Sequence, residues 1–134
     1  MATPYLHFQG NCREAMTAYA EILGGKLELM TYSQAPDDAP AEMRTSDAVM
    51  HGSLLSDRYG HLMASDYPPG HPGEAQAAVS ISIASDDLDG ARAAFDAFAI
   101  GGQVFMPFGP TFFAKGFGMV KDRFGTTWMV MVAQ

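Results

Sequence analysis

The sequence predicts an α+β fold: two βαβββ modules, paired so that their mixed sheets curl into a cup. Three observations predict it. Two amphipathic stretches of helical period each run into a double glycine, Gly24-Gly25 and Gly101-Gly102. Each stop leads into a similar strand, Lys26-Leu27-Glu28-Leu29-Met30 and Gln103-Val104-Phe105-Met106. Further on, Asp57-Arg58-Tyr59-Gly60 echoes Asp122-Arg123-Phe124-Gly125, each between two apolar segments, as a hairpin turn with glycine where φ must be positive.

The elements follow in the same order in both halves. A strand near residues 4–9 opens the chain. Asn11 sits where it can cap a helix to Leu23, with Glu14 at capping-box spacing. Cys12, Ala15, Met16, Tyr19, Ile22 and Leu23 form the apolar face of that helix. Strands are expected near 25–33, 48–55 and 61–66. The acidic, Pro- and Ala-rich insertion Gln34–Glu42 reads as a surface loop. Tyr67-Pro68-Pro69-Gly70-His71-Pro72-Gly73 can be neither helix nor central strand. The second half begins with Val79-Ser80-Ile81-Ser82-Ile83, which alternates as a half-buried strand within 78–84. A helix from Asp86 or Asp87 to about Ala99 presents Leu88, Ala91, Phe95 and Phe98 on one face, its acidic start suited to a helix N-terminus. Strands near 102–108, 112–120 and 126–132 close the chain. Module one thus covers about 1–66, the linker 67–77 and module two about 78–134. Each half would be marginal alone, so the two make a single domain.

Composition narrows the function classes. The chain has 134 residues, 48% hydrophobic and 17% charged, which excludes disordered and fibrous classes. Its net charge of −7, with no Lys/Arg cluster, argues against a nucleic-acid partner. The apolar runs are far too short for a membrane helix. The single cysteine, Cys12, fits a reducing compartment, and no secretory pattern opens the sequence, so a cytoplasmic protein is expected.

Four separated motifs carry a resemblance. Tyr5-Leu6-His7-Phe8-Gln9-Gly10-Asn11-Cys12-Arg13-Glu14-Ala15-Met16 with Leu23-Gly24-Gly25, then Val49-Met50-His51-Gly52, Leu62-Met63-Ala64-Ser65-Asp66, and the run from Phe117 to Met129, are similar to PhnB-like proteins. These belong to the glyoxalase / bleomycin resistance / extradiol dioxygenase group, the vicinal oxygen chelate superfamily. The resemblance implies the paired βαβββ cup. Some relatives carry a 3-demethylubiquinone methyltransferase designation, but this sequence lacks the Gly-rich strand-to-helix loop of a Rossmann-type nucleotide site. The superfamily's enzymes hold a divalent metal with four inward His, Glu or Gln side chains on the first and last strands of each module. Counting from shared landmarks puts those positions at Pro4, at Met63 or Ala64, at Ser80 and at Met129, none a usual ligand for such an ion. No metal and no cofactor is therefore expected.

The candidate ligand-contacting residues are His51, Asp66, His7, Trp128 and Met129. His51, within a strand, is either a hydrogen-bonding or proton-transferring cup residue or an edge contact. Asp66 either orients His51 or, the favoured reading, caps a turn. His7 faces the cup or the helix, depending on register. Trp128 and Met129 alternate, so one of them points inward. His61 and His71 read as solvated residues of turn and linker. Cys12, in a first helical turn that lowers a thiol's pKa, invites a nucleophile reading, but its place on the apolar face favours a buried inert thiol. Methionines on the strands, among them Met30, Met63, Met119 and Met131, suit an adaptable apolar lining. The reading is a homodimeric cup that binds a small, largely apolar molecule without metal chemistry. The alternative is a divalent-metal-dependent lyase, thiol transferase or dioxygenase of the glyoxalase type.

Overall fold

A computed structural model describes all residues from Met1 to Gln134, and the chain divides into two units, Met1–Ala75 and Gln76–Gln134. The first unit contains β1 (Tyr5–Phe8), α1 (Cys12–Leu23), β2 (Lys26–Thr31), the short helix α2 (Ala41–Arg44), β3 (Val49–Ser56) and β4 (Gly60–Asp66). The second contains β5 (Ile81–Ser85), α3 (Leu88–Ala99), β6 (Gln103–Gly109), β7 (Ala114–Lys121) and β8 (Thr127–Ala133). The sheets repeat one topology, β1-β4-β3-β2 and β5-β8-β7-β6, with the first strand of each parallel to the last and the other pairs antiparallel. Each unit is therefore a βαβββ module, as the repeated glycine stops imply.

In each module the helix covers one sheet face. Period-2 alternation along β1 buries Leu6 and Phe8, and α1 buries Cys12, Ala15, Met16 and Tyr19 on its sheet-facing side. Along β8 it buries Trp128, Val130 and Val132 beneath α3, and the Trp128 ring stacks on Phe98 with centroids 4.2 Å apart. Burial of each such side chain contributes about 1.5–3 kcal/mol. The strand after each helix starts so close to its neighbour that a Cβ on Gly25 would strike the Leu55 carbonyl, and one on Gly102 the Lys121 carbonyl. The hairpin glycines Gly60 and Gly125 have φ of +96° and +98°, as their turns require.

Local structure departs from the sequence reading in three places. The insertion is not wholly loop: a 3₁₀ turn covers Tyr32–Gln34, with Gln34 Oε1 accepting from the Thr31 amide at 2.8 Å, and α2 follows Pro40. β5 starts at Ile81 because Ala78 adopts φ of +54°, which interrupts the extended path. Finally, Asn11 makes no side-chain cap, so the expected capping box does not form. The carboxylate of Asp66, 54 residues along the chain, does the capping instead: Oδ1 accepts from the amides of Gly10 and Cys12 at 2.9 and 3.0 Å. Its Oδ2 accepts from the Val49 amide at 2.8 Å, so one buried side chain ties β4 to the start of α1 and to the start of β3.

The hairpin echo also differs in its bonding. In the second module Asp122 Oδ1 accepts from the amides of Phe124 and Thr126, and its Oδ2 accepts from the indole N–H of Trp128. In the first, Ser56 holds the turn, its hydroxyl accepting from the Tyr59 amide and donating to the Leu23 carbonyl.

Candidate functional site

In each module one sheet face is turned away from the helix. In the first module the parity that buries Leu6 and Phe8 sends Tyr5 and His7 to this open face. A register shift between Met30 and Thr31 absorbs one extra residue of β3, so that Val49 is buried while His51 and Ser53 point to the open side. Across the sheet, Tyr5 pairs with Met63, Met63 with Ser53, and His51 with Met30.

Four rings line up on this face. Tyr67 stacks on His7 with centroids 5.4 Å apart and planes 21° from parallel. His7 lies 5.2 Å from Tyr5 at 34°, and Tyr5 lies 5.6 Å from His51 at 31°. The Tyr5 hydroxyl sits 2.9 Å from Nδ1 of His51. Tyr67 is fixed from its far end, its hydroxyl donating to the Glu74 carbonyl at 3.0 Å. A second polar pair stands beside the row: Ser53 Oγ lies 2.7 Å from Nε2 of His61, which belongs to β4 and is half-buried, not a solvated turn residue.

The five candidates separate. His7 and His51 share the open face of the first module and are joined through Tyr5. Asp66 lies on the opposite, helix-covered side, 2% exposed, with both carboxylate oxygens engaged by backbone amides. It does not orient His51, whose ring nitrogen is met by Tyr5. Trp128 is fully buried under α3, which leaves Met129 as the open-face member of that pair. Met129 stands in register with Met119, and Met119 with Met106, so three thioethers cross the open face of the second sheet in a row. Phe117 and Met131 form the next cross-strand pair. Sequence reasoning missed Tyr5, Tyr67 and Ser53. Two of these were within reach of strand parity, since Tyr5 is two residues from His7 and Ser53 two from His51.

Cys12 is not a nucleophile. The thiol is fully buried, and burial, reinforced by the neighbouring Asp66 carboxylate and opposed by Arg13, pushes its pKa from 9.0 up to about 12. The helix-terminal lowering expected from its position is overridden first by burial and then by the Asp66 carboxylate.

The donor set does not suit the superfamily's metal. Pro4 and Ser80 fall just before the first strand of each module, and the open-face positions nearest them carry Tyr5 beside Met63 and Ser82 beside Met129. Phenol, thioether and hydroxyl groups are poor partners for Zn²⁺, Mn²⁺ or Ni²⁺. No three His, Cys, Asp or Glu side chains converge anywhere in the chain. No helix is long and apolar enough to cross a membrane.

Comparison with known proteins agrees with this architecture. The family model described as 3-demethylubiquinone-9 3-methyltransferase matches residues 1–131. Protein YjdN of Escherichia coli (strain K12) is 30% identical over 141 residues, spanning 98% of this chain and 95% of its own length. The crystal structure of protein PA1353 from Pseudomonas aeruginosa superposes with a TM-score of 0.89 at 44% identity, covering 100% of this chain and 98% of that one. A glyoxylase/bleomycin resistance protein/dioxygenase domain from Frankia sp. EAN1pec shares the fold at 13% identity, with a TM-score of 0.65 and coverage of 100% and 97%. With the family model spanning nearly every residue, the chain belongs to the 3-demethylubiquinone-9 3-methyltransferase family, and it shares its fold with glyoxalase-type domains.

Proposed function

We propose that this chain binds a small, largely apolar molecule on the open faces of its sheets and performs no metal chemistry. The observation that carries the reading is the composition of those faces. One presents a row of Tyr and His rings with a hydrogen-bonded Tyr5–His51 pair, and the other a row of methionines, Met106, Met119 and Met129, with Phe117 beside it. Apolar surface with a few placed polar groups is the usual form of a small-molecule site, and methionine adapts to irregular ligands. Against the metal-dependent alternative stands the donor set described above.

The reading includes a homodimer acting in the cytoplasm. Support for the dimer comes from the edge strand β6, paired on one side only with β7, where Val104, Phe105 and Met106 are 44%, 50% and 44% exposed.

The test uses Nile red as a neutral apolar probe, titrated into the wild type, Met129→Gln and His51→Ala. Binding weakened by about tenfold in Met129→Gln, at an unchanged sedimentation mass, supports the reading. Binding unaltered in both variants contradicts it. A changed mass with unaltered binding in His51→Ala removes His51 from the site and assigns it to the interface.

A further inference from the structure

The four-ring row of the first module specifies more than an apolar ligand. We propose that it binds a planar aromatic molecule carrying a neutral carbonyl oxygen, with His51 donating a hydrogen bond to that oxygen and Tyr5 acting as the positioning residue that fixes the His51 tautomer. The inference rests on the small-molecule reading above and names the ligand class of the same face.

The donor role of His51 follows from its Nδ1. A phenol is a strong donor and a weak acceptor, and an unprotonated imidazole nitrogen is a strong acceptor, so the 2.9 Å contact is met with the Tyr5 O–H donating to Nδ1. A neutral imidazole that accepts at Nδ1 carries its proton at Nε2, since the bond made by one ring nitrogen sets the state of the other. His51 then presents an N–H donor, and the group it reads is an acceptor. Tyr5 does no chemistry on the ligand. It holds the proton on the nitrogen away from itself.

A flat ring is favoured by the aromatic row itself. Successive planes in the row Tyr67–His7–Tyr5–His51 differ by 21°, 34° and 31°, with centroid separations of 5.4, 5.2 and 5.6 Å, one stacked contact and two tilted ones. A further π-system can extend such a row through offset or edge-to-face contacts, whereas a puckered saturated ring gains only dispersion from it.

Electrostatics favours a neutral acceptor. Among the strand positions of this face the one ammonium or guanidinium is that of Lys26, an exposed side chain 3.1 Å from the Glu28 carboxylate. The chain carries a net charge of −7. A carboxylate ligand would meet a chain of its own sign, while a carbonyl needs a single donor.

The experiment is nuclear magnetic resonance on protein labelled with ¹⁵N at histidine. Long-range proton–nitrogen correlations first read the His51 tautomer in the unliganded protein. Acetophenone, ethylbenzene and cyclohexyl methyl ketone are then titrated while the His51 and His7 signals are followed. The first has ring and carbonyl, the second lacks the acceptor, and the third lacks the flat ring. The expected result is a proton on Nε2, with acetophenone bound about fivefold more tightly than either analogue. Tyr5→Phe, a change at a side chain 38% exposed, is expected to give a mixture of tautomers and to remove the advantage of acetophenone over ethylbenzene. A proton found on Nδ1 overturns the donor assignment. Equal binding of the two ketones overturns the planar class. If none of the three binds while Nile red still does, this inference fails and the binding reading stands; if Nile red also fails to bind, the reading beneath it has failed.

Discussion

Strand parity tells which residues share a face, and only the packing of a helix tells which face is covered. Trp128 and Met129 illustrate this: both are apolar, so the pattern Thr127-Trp128-Met129-Val130 admits either as the inward residue. Contact with Phe98 and a hydrogen bond from the indole to Asp122 decide in favour of burying Trp128. Cys12 shows a related limit, because its pKa is raised first by burial and then by a carboxylate that comes from β4. Two consequences belong to this residue. In the native protein Cys12 should not react with iodoacetamide at pH 8, and should react fully in denaturant. Because the folded chain holds the thiol proton more tightly than the unfolded one, its stabilising contribution is complete below pH 9 and is lost as pH rises from about 9 toward 12. Tyr32, raised above 10.0 first by burial and then by Asp66, acts in the same direction. The fall in urea midpoint between pH 8 and pH 10.5 should therefore be smaller in Cys12→Ala than in the wild type, and an equal fall contradicts the assignment.

The elements themselves were largely readable. Both long helices and all eight strands announce themselves through period and glycine stops, which are local signals. What was not readable depends on partners distant in sequence. The cap of α1 is supplied by Asp66, so the Asn11–Glu14 spacing pointed to a box that tertiary structure made unnecessary. The register shift between Met30 and Thr31 is set by strand pairing, and it lets Val49 be buried although His51, two residues on, lies on the open face. Asp66 provides the sharpest test at this scale. In Asp66→Asn a single amide oxygen must serve three backbone amides that now engage two carboxylate oxygens, so at least one buried donor loses its acceptor. Stability should fall by about 2 kcal/mol or more, measured by urea denaturation, with faster hydrogen exchange at Gly10, Cys12 or Val49. A loss under about 0.5 kcal/mol would remove Asp66 from this role.

At the scale of the whole molecule, the duplication was the most legible property, because it is written twice: in the double glycines after each helix and in the two Asp-Arg-aromatic-Gly turns. The candidate site was less legible. Histidine positions marked the first module, but Tyr5 and Tyr67 gave no compositional signal, since a tyrosine on an edge strand or in a Pro-rich linker is ordinary. Assembly is a further expectation at this scale. Sedimentation equilibrium at micromolar concentration should give twice the 14.4 kDa chain mass, and Phe105→Lys on the exposed edge should shift the balance toward monomer. A wild type that sediments as a single chain rules out the dimer.

Metal independence is the claim on which the functional account turns, and one titration addresses it directly. Nile red is bound to untagged, EDTA-treated protein, and the titration is repeated with one equivalent of Zn²⁺, Mn²⁺ or Ni²⁺ present, the bound metal being quantified after desalting. The account predicts the same affinity in every case and no stoichiometric metal retained. Binding that appears, or tightens about tenfold, only when one of these ions is retained at one per chain would contradict it.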